Sequence, residues 1–267
     1  MKHKNVHNTM SEAYLAMLSD LMWSYEYEAA PRGQPIKEIT NYSIRVSHPT
    51  SDNIVTKDPE RNKVIASYTE KEKALYESGS LLTKDFAEAS KFWEKLDNGD
   101  GTINSGYGYL IFKEQSEGEP KYESELMPIT YTVDGEEVDD LVTVSHMRTP
   151  FEWAKMSLLK DKDTRQAIIR FNKPRHMWAQ NKDVVCTLNG NFHIRNNKLN
   201  FTIVMRSNDV VKGTAFDIPY FVSIQEKMLI ELKPSYPELE IGYYEHFAHS
   251  LHMYTKDSEV VKKMLGL

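Results

Sequence analysis

The chain carries one cysteine, Cys186, and so one side chain able to act as a soft nucleophile. A thiol attacks as its thiolate, which needs a positive charge close by. Arg206 follows in the run Met205-Arg206-Ser207-Asn208-Asp209. Phe192 to Arg195 and Lys198 to Met205 read as two strands around Asn196-Asn197, a pair that tolerates positive φ in a tight turn. That hairpin would return Arg206 to the neighbourhood of Cys186. The plain alternative is a buried core cysteine, since free Cys is among the most buried residue types. Asp217 precedes the apolar run Ile218 to Leu232. It could cap that helix or offer a carboxyl group to a ligand. His252 and Tyr254 stand two apart and would share one side of an extended strand.

The elements that must position these groups read as follows. Ser11 to Ala29 has apolar residues at spacings of three and four, with Thr9 and Glu12 forming a capping-box pattern and Pro31 and Gly33 ending the helix. Asn41 to Val46 alternates like a strand. Tyr68 to Glu77 and Thr83 to Leu96 are expected as helices, separated from later elements by the loop Asp97 to Thr102. Glu114 to Val144 is acidic, with Gly118, Pro120, Pro128 and Gly135, and reads as an irregular excursion holding one hairpin. Phe151 to Leu159 is helical in pattern, Ala167 to Phe171 strand-like, and Ile218 to Leu232 a helix stopped near Pro234. His252 to Leu267 is mixed. With no internal repeat, the pattern is α+β, and residues 1–267 are expected to form a single catalytic domain.

Composition excludes several partners. Lys plus Arg total 33 against 39 Asp plus Glu, a net charge of -6, so polymeric nucleic acid is not the expected ligand. A single Cys leaves no intrachain disulfide and no Cys-rich zinc module, which suits a reducing cytoplasm. No metal is expected, and the His-x-Glu with Pro-Cys-x-x-Cys of zinc deaminases is absent. No apolar run is long enough for a membrane helix, and the polar Met1 to Met10 stretch is unlike a signal peptide.

Six ordered motifs resemble the thymidylate synthase family. Cys186 with Asn191-Phe192 is similar to its catalytic Cys and following Gln-Phe. Arg206-Ser207-Asn208-Asp209 resembles Arg-Ser-x-Asp, and Gly213 with Phe216-Asp217-Ile218 resembles Gly-x-Pro-Phe-Asn-Ile. The stretch Gly101 to Gly108, containing Tyr107, is similar to Gly-x-Leu-Gly-Pro-Val-Tyr-Gly. Asp163-Thr164-Arg165 and Ser250 to Tyr254 complete the series. The departures are specific. Asp217 stands where synthases have Asn, Thr187 where they have His after the Cys, and Gln166 where they have a second Arg. The Asp217 and Thr187 departures, Met205 through Val211, and Gly101 to Gly108 resemble the family's phage deoxycytidylate hydroxymethylase branch.

The resemblance implies a mixed β-sheet packed with helices, and a homodimer formed through the sheet. It implies transfer of a one-carbon unit from 5,10-methylenetetrahydrofolate to carbon 5 of a pyrimidine nucleoside monophosphate, dCMP by preference, with water addition giving the hydroxymethyl product. Cys186 would be the nucleophile and Asp217 the base-recognition group. Glu72, with Glu70 as the alternative, would order water and protons, and Tyr107 would assist proton removal. Arg206, Ser207, Asp209, Asn191, His252, Tyr254 and Arg32 would hold the nucleotide, joined by Arg165 from a second subunit. Trp93, otherwise a core residue, and Asp209 would meet the folate. Three alternatives stay open: a dCMP methyltransferase, a dUMP-using synthase or hydroxymethylase, and a non-catalytic nucleotide-binding homologue. The tail Lys262 to Leu267 differs from the synthase tail and favours the water route.

Overall fold

The computed structural model describes residues 5–115, 124–133, 136–145 and 148–267. In chain order the elements are β1 (Val6–His7), α1 (Met10–Trp23), β2 (Tyr27–Ala29), β3 (Ile36–Val46), α2 (Pro59–Ser78), α3 (Thr83–Ala89), α4 (Tyr107–Phe112), β4 (Ser124–Val133), β5 (Glu136–Ser145), α5 (Pro150–Lys160), β6 (Ile168–Arg170), β7 (Thr187–Arg195), β8 (Lys198–Met205), β9 (Asn208–Asp209), α6 (Ala215–Leu232), β10 (Glu240–Tyr254) and α7 (Ser258–Leu265).

One mixed sheet runs in the order β1-β3-β10-β8-β7-β6, with β2 added to β3 and β9 to β10. The strand β10 lies at its middle, antiparallel to β3 and parallel to β8. Burial alternates along it. Tyr244, His246, Ala248, Leu251 and Met253 are buried, and the residues between them are not. The core side meets Tyr14, Leu18 and Leu21 of α1 and Phe221, Ile224 and Met228 of α6. Glu245, Arg45 and Thr202 lie in register on the opposite face and are half-buried. No described helix is long and apolar enough to cross a membrane.

Local sequence explains most boundaries. The capping box at Thr9 and Glu12 forms as expected. The helix α1 stops at Trp23 rather than Ala29, because Tyr27–Ala29 gain strand hydrogen bonds from β3. The helix α2 begins earlier than the apolar pattern shows, at Pro59, with Asp58 accepting from the amides of Glu60 and Arg61. The expected helix Thr83 to Leu96 breaks at Ser90, whose hydroxyl caps a separate 3-10 turn, Lys91–Leu96. The acidic excursion contains a regular hairpin, β4–β5, in unbroken register from Ser124↔Ser145 to Val133↔Glu136. Its Gly118, Pro120 and Gly135 lie outside the described residues. His252 and Tyr254 lie on a strand as expected; what the pattern did not reveal is its start at Glu240, 15 residues whose pairing to β3 and β8 is entirely long-range.

Close packing fixes α4, which periodicity did not reveal. Gly108 lies so near α2 that a Cβ there would sit 1.7 Å from the Tyr76 carbonyl oxygen. The approach stacks Tyr107 on Tyr76, ring centroids 5.2 Å apart. Gly108→Ala must push α4 off α2, and overpacking of this kind costs roughly 1–3 kcal/mol or more. A lowered urea midpoint together with reduced turnover is the expected outcome; an unchanged midpoint would contradict this packing.

Candidate active site

Cys186 sits just ahead of β7, and the β7–β8 hairpin returns the chain to it. The Arg206 amide donates to the Cys186 carbonyl at 2.8 Å, and its guanidinium Nη2 lies 3.4 Å from Sγ. The guanidinium also donates to the Val184 and Val185 carbonyls, so it is held in place rather than swinging free. Burial pushes the Cys186 thiol up. Arg206 opposes this most strongly, Asp217 and Asp183 push the same way as burial, and Arg32 pulls down. The hairpin therefore does bring the charge to the thiol. The thiol nevertheless keeps its proton more firmly than a free cysteine, so it needs an acceptor as it reacts.

Two carboxyl groups stand close enough to influence each other. Glu72, buried on α2, is pushed up to about 8 by desolvation first and by the charge of Asp217 second, while hydrogen bonds from Tyr68 and Tyr76 pull it down. Asp217 is pushed up to about 6 by burial, against the Asn208 amide that donates to its Oδ2 at 2.9 Å. Both can gain or lose a proton near neutrality at small cost, as acid–base catalysis requires. Glu70 points to solvent on the same helix. Asp217 is not the cap of α6: the helix starts earlier, at Ala215, and its carboxylate turns to Asn208 instead.

Other expected residues fall into two groups around this pair. Tyr107 is buried, and its hydroxyl is pushed up by burial and by the charges of Asp217 and Cys186. The Trp93 indole N–H donates to the Tyr68 hydroxyl at 2.9 Å, and that hydroxyl donates to Glu72 at 3.2 Å. Trp93 thus packs on Phe86 as a core residue while also bracing Glu72. Asp209 pairs in register with His252, which stands T-shaped against Tyr254. Asp209 spends Oδ1 on the amides of Val211 and Lys212, capping a π turn over Val210–Thr214. The His252 Nδ1 and the Asn191 Oδ1 are buried without a partner, polar atoms of the kind a ligand satisfies. Ser207 is half-buried beside Arg206. Arg32 takes positive φ (52°) in the Pro31–Gly33 turn, whose end is tied to the Tyr254 end of β10 by the Thr255 amide and Pro35 carbonyl. Arg165 is exposed on the loop before β6 and has no ion-pair partner among the described residues.

The structure adds residues that pattern reading did not single out. Tyr68 links Trp93 to Glu72. Asp183 accepts from the Asn104 and Ser105 amides, both at 2.7 Å, tying the Gly101–Gly108 loop to the Cys186 segment. The buried His246 donates to Asn208. The position of Asp183 three residues before Cys186 was the available signal; Tyr68 and His246 gave none, because each acts across elements. Among the described residues, no group of three or more His, Cys, Asp or Glu is arranged to hold a metal ion.

A sequence profile of the thymidylate synthase family matches residues 12–266. The chain belongs to that family. It is therefore a folate-dependent one-carbon transferase acting on pyrimidine nucleotides. The deoxycytidylate 5-hydroxymethyltransferases of Enterobacteria phages T6 and T4 are each 26% identical to it over 196 residues, 71% of this chain and 67% of theirs. The deoxyuridylate hydroxymethyltransferase of Bacillus phage SP01 is 34% identical over 115 residues, 40% of this chain and 29% of that one. The thermostable thymidylate synthase A of Bacillus subtilis shares the fold, with a TM-score of 0.64 at 16% identity, covering 97% of this chain and 84% of that structure.

The raised Glu72 carboxyl makes a stability prediction with a definite sign. Folded protein holds the proton between the ordinary 4.5 and about 8, where the unfolded chain releases it, so this group weakens the fold progressively as pH rises through that window. Glu72→Gln removes the effect. The stability difference between variant and wild type, from urea unfolding at pH 5, 6.5 and 8, should shift towards the variant with each step. A difference that stays flat would show that Glu72 is already ionised in the folded state.

Proposed function

We propose that the protein, as one catalytic domain, is a dCMP 5-hydroxymethyltransferase of the host or cellular cytoplasm, working as a homodimer. The observation that carries the choice of base is Asp217, a carboxyl group raised into the neutral range. Cytosine presents an unprotonated ring nitrogen and an amino donor. A carboxylic acid donates to the first and accepts from the second. Uracil presents a ring N–H and an oxygen, and a carboxylate facing that oxygen is repelled, so the discrimination works from both sides. The similarity to the T-even phage enzymes supports the same base. The similarity to the SP01 deoxyuridylate enzyme favours dUMP as the second reading.

Cys186 Sγ forms a bond to carbon 6 of the ring, and the displaced π electrons make carbon 5 nucleophilic. Asp217 passes its proton to the ring nitrogen as negative charge builds there, and the thiol proton replaces it on the carboxylate so formed. After carbon 5 has gained its substituent, its proton leaves through the Tyr107 and Glu72 side of the site as the bond from the one-carbon unit to the folate nitrogen breaks, and tetrahydrofolate is the leaving group. Glu72 is also the group placed to activate the water that completes the hydroxymethyl product. Elimination of Cys186 restores the ring. Arg206, Ser207, Arg32 and the partner's copy of Arg165 bind the phosphate, and His252 and Tyr254 the sugar hydroxyl.

5,10-Methylenetetrahydrofolate, when bound, supplies the one-carbon unit. The residues fit a flat heteroaromatic ring of that kind: Phe92 is 55% exposed beside Trp93, at the Glu72 end of the site. The second copy would cover the open face of the sheet, where Arg45 pairs with Glu245 and lies 3.7 Å from the Tyr243 ring centroid.

Incubating the protein with dCMP, CMP and dUMP plus methylenetetrahydrofolate, with mass detection of products, tests the reading. 5-Hydroxymethyl-dCMP is the expected main product; a methylated nucleotide or a dUMP product would overturn it. Cys186→Ser should fold and yield no product above background, since a hydroxyl is far less nucleophilic than a thiolate. Asp217→Asn should lower kcat/KM for dCMP by about tenfold or more, the cost of one charge-assisted hydrogen bond, and move the preference towards dUMP.

A further inference from the structure

Asn208 is buried between Asp217 and the end of the sheet, and every polar atom of its amide is engaged. Its Nδ2 donates to Asp217 Oδ2 at 2.9 Å. Its Oδ1 accepts from the Thr214 hydroxyl and from His246 Nε2, the latter at 3.0 Å. His246 is itself buried on β10, and burial drives its pKa down to about 3, so the ring is neutral. Its Nδ1 faces the Tyr244 hydroxyl at 2.9 Å. A neutral ring has one N–H. With Tyr244 donating to Nδ1, that N–H sits on Nε2 and points at Asn208. In that tautomer Oδ1 receives two donors and Nδ2 is left for Asp217. Gly213 leaves the room: a Cβ there would lie 3.0 Å from Asp217 Oδ2 and 3.2 Å from Asn208 Nδ2.

We infer that Asn208 is a positioning residue for base choice, held in one amide orientation by Thr214 and the Tyr244–His246 pair, and that it fixes Asp217 Oδ2 as an acceptor so that Oδ1 is the oxygen that carries the proton shared with the pyrimidine. The inference rests on the reading that Asp217 faces the base. A carboxyl group free to hold its proton on either oxygen, or to rotate, would meet cytosine correctly only part of the time. The relay from Tyr244 through His246 and Asn208 removes that freedom before any ligand arrives. A carboxylate would tolerate the same donor, so the relay selects the oxygen without dictating the charge.

The test measures kcat/KM for dCMP and for dUMP in four variants, with melting temperatures alongside. Asn208→Asp keeps the shape and an acceptor for Thr214 and His246 while deleting the donor. It should lower the dCMP to dUMP ratio by roughly tenfold, the scale of one lost hydrogen bond to a charged group. His246→Leu removes the donor that orients the amide and should move the ratio the same way. His246→Gln restores an N–H donor and should recover most of it. Asp217→Asn is the reference. If Asp217→Asn shifts the ratio while Asn208→Asp and His246→Leu lower both nucleotides equally, the relay is structural only and the inference falls alone. If Asp217→Asn leaves the ratio unmoved, the base-recognition reading fails and the inference falls with it.

Discussion

Two acidic side chains, Glu72 and Asp217, are desolvated within reach of one another's charge. Two carboxylates cannot both ionise cheaply in such a place. The surroundings answer with donors: Tyr68 and Tyr76 on Glu72, Asn208 on Asp217. Each donor is braced in turn. Trp93 holds Tyr68, and His246 and Thr214 hold Asn208. Much of the polar architecture between α2 and β10 exists to keep this pair buried yet proton-competent.

Cys186 is placed by different means. Its neighbourhood is backbone geometry: a hairpin whose strands end at Cys186 and Arg206, with carbonyls of Val184 and Val185 clamping the guanidinium. The clamp holds the guanidinium beside the sulfur while the side chain as a whole stays exposed to solvent, where an anion can reach it. Asp183 joins the same segment to the Gly101–Gly108 loop, and through it to Tyr107. One short stretch thus registers the sulfur against Tyr107, whose hydroxyl feels the charges of both Asp217 and Cys186.

Strand β10 integrates these parts. Its core face supplies Tyr244 and His246 to the Asn208 relay, and its far end carries His252 and Tyr254 beside Asp209. The π turn after Asp209 is pinned by the Tyr14 hydroxyl on the Val210 carbonyl, at 2.8 Å, and by Arg61 on the Val211 carbonyl. Irregular helical turns of this kind recur at functional sites, and this one leads directly into the first turn of α6, which carries Asp217.

The linear chain by itself determined what nearest neighbours can encode. The Thr9 capping box, the Asn196-Asn197 hairpin and the apolar periodicity of α6 each depend on contacts a few residues apart, so they were legible. The ordered motifs around Cys186, Arg206 and Asp217 were legible through their resemblance to the thymidylate synthase family; residue pattern alone left Cys186 open as a core residue and Asp217 as a cap. Tertiary structure decided the rest. The strand β10 finds its partners in β3 and β8, some forty to two hundred residues away, and no local pattern announces that pairing. Glu72 and Glu70 lie on one helix with the same chemistry; only burial against Asp217 separates them. Asn208, His246 and Tyr68 gain their roles from hydrogen bonds between elements remote in sequence. Residue type names a donor or an acceptor, but what it meets, and whether water competes for it, is settled when the sheet and helices close.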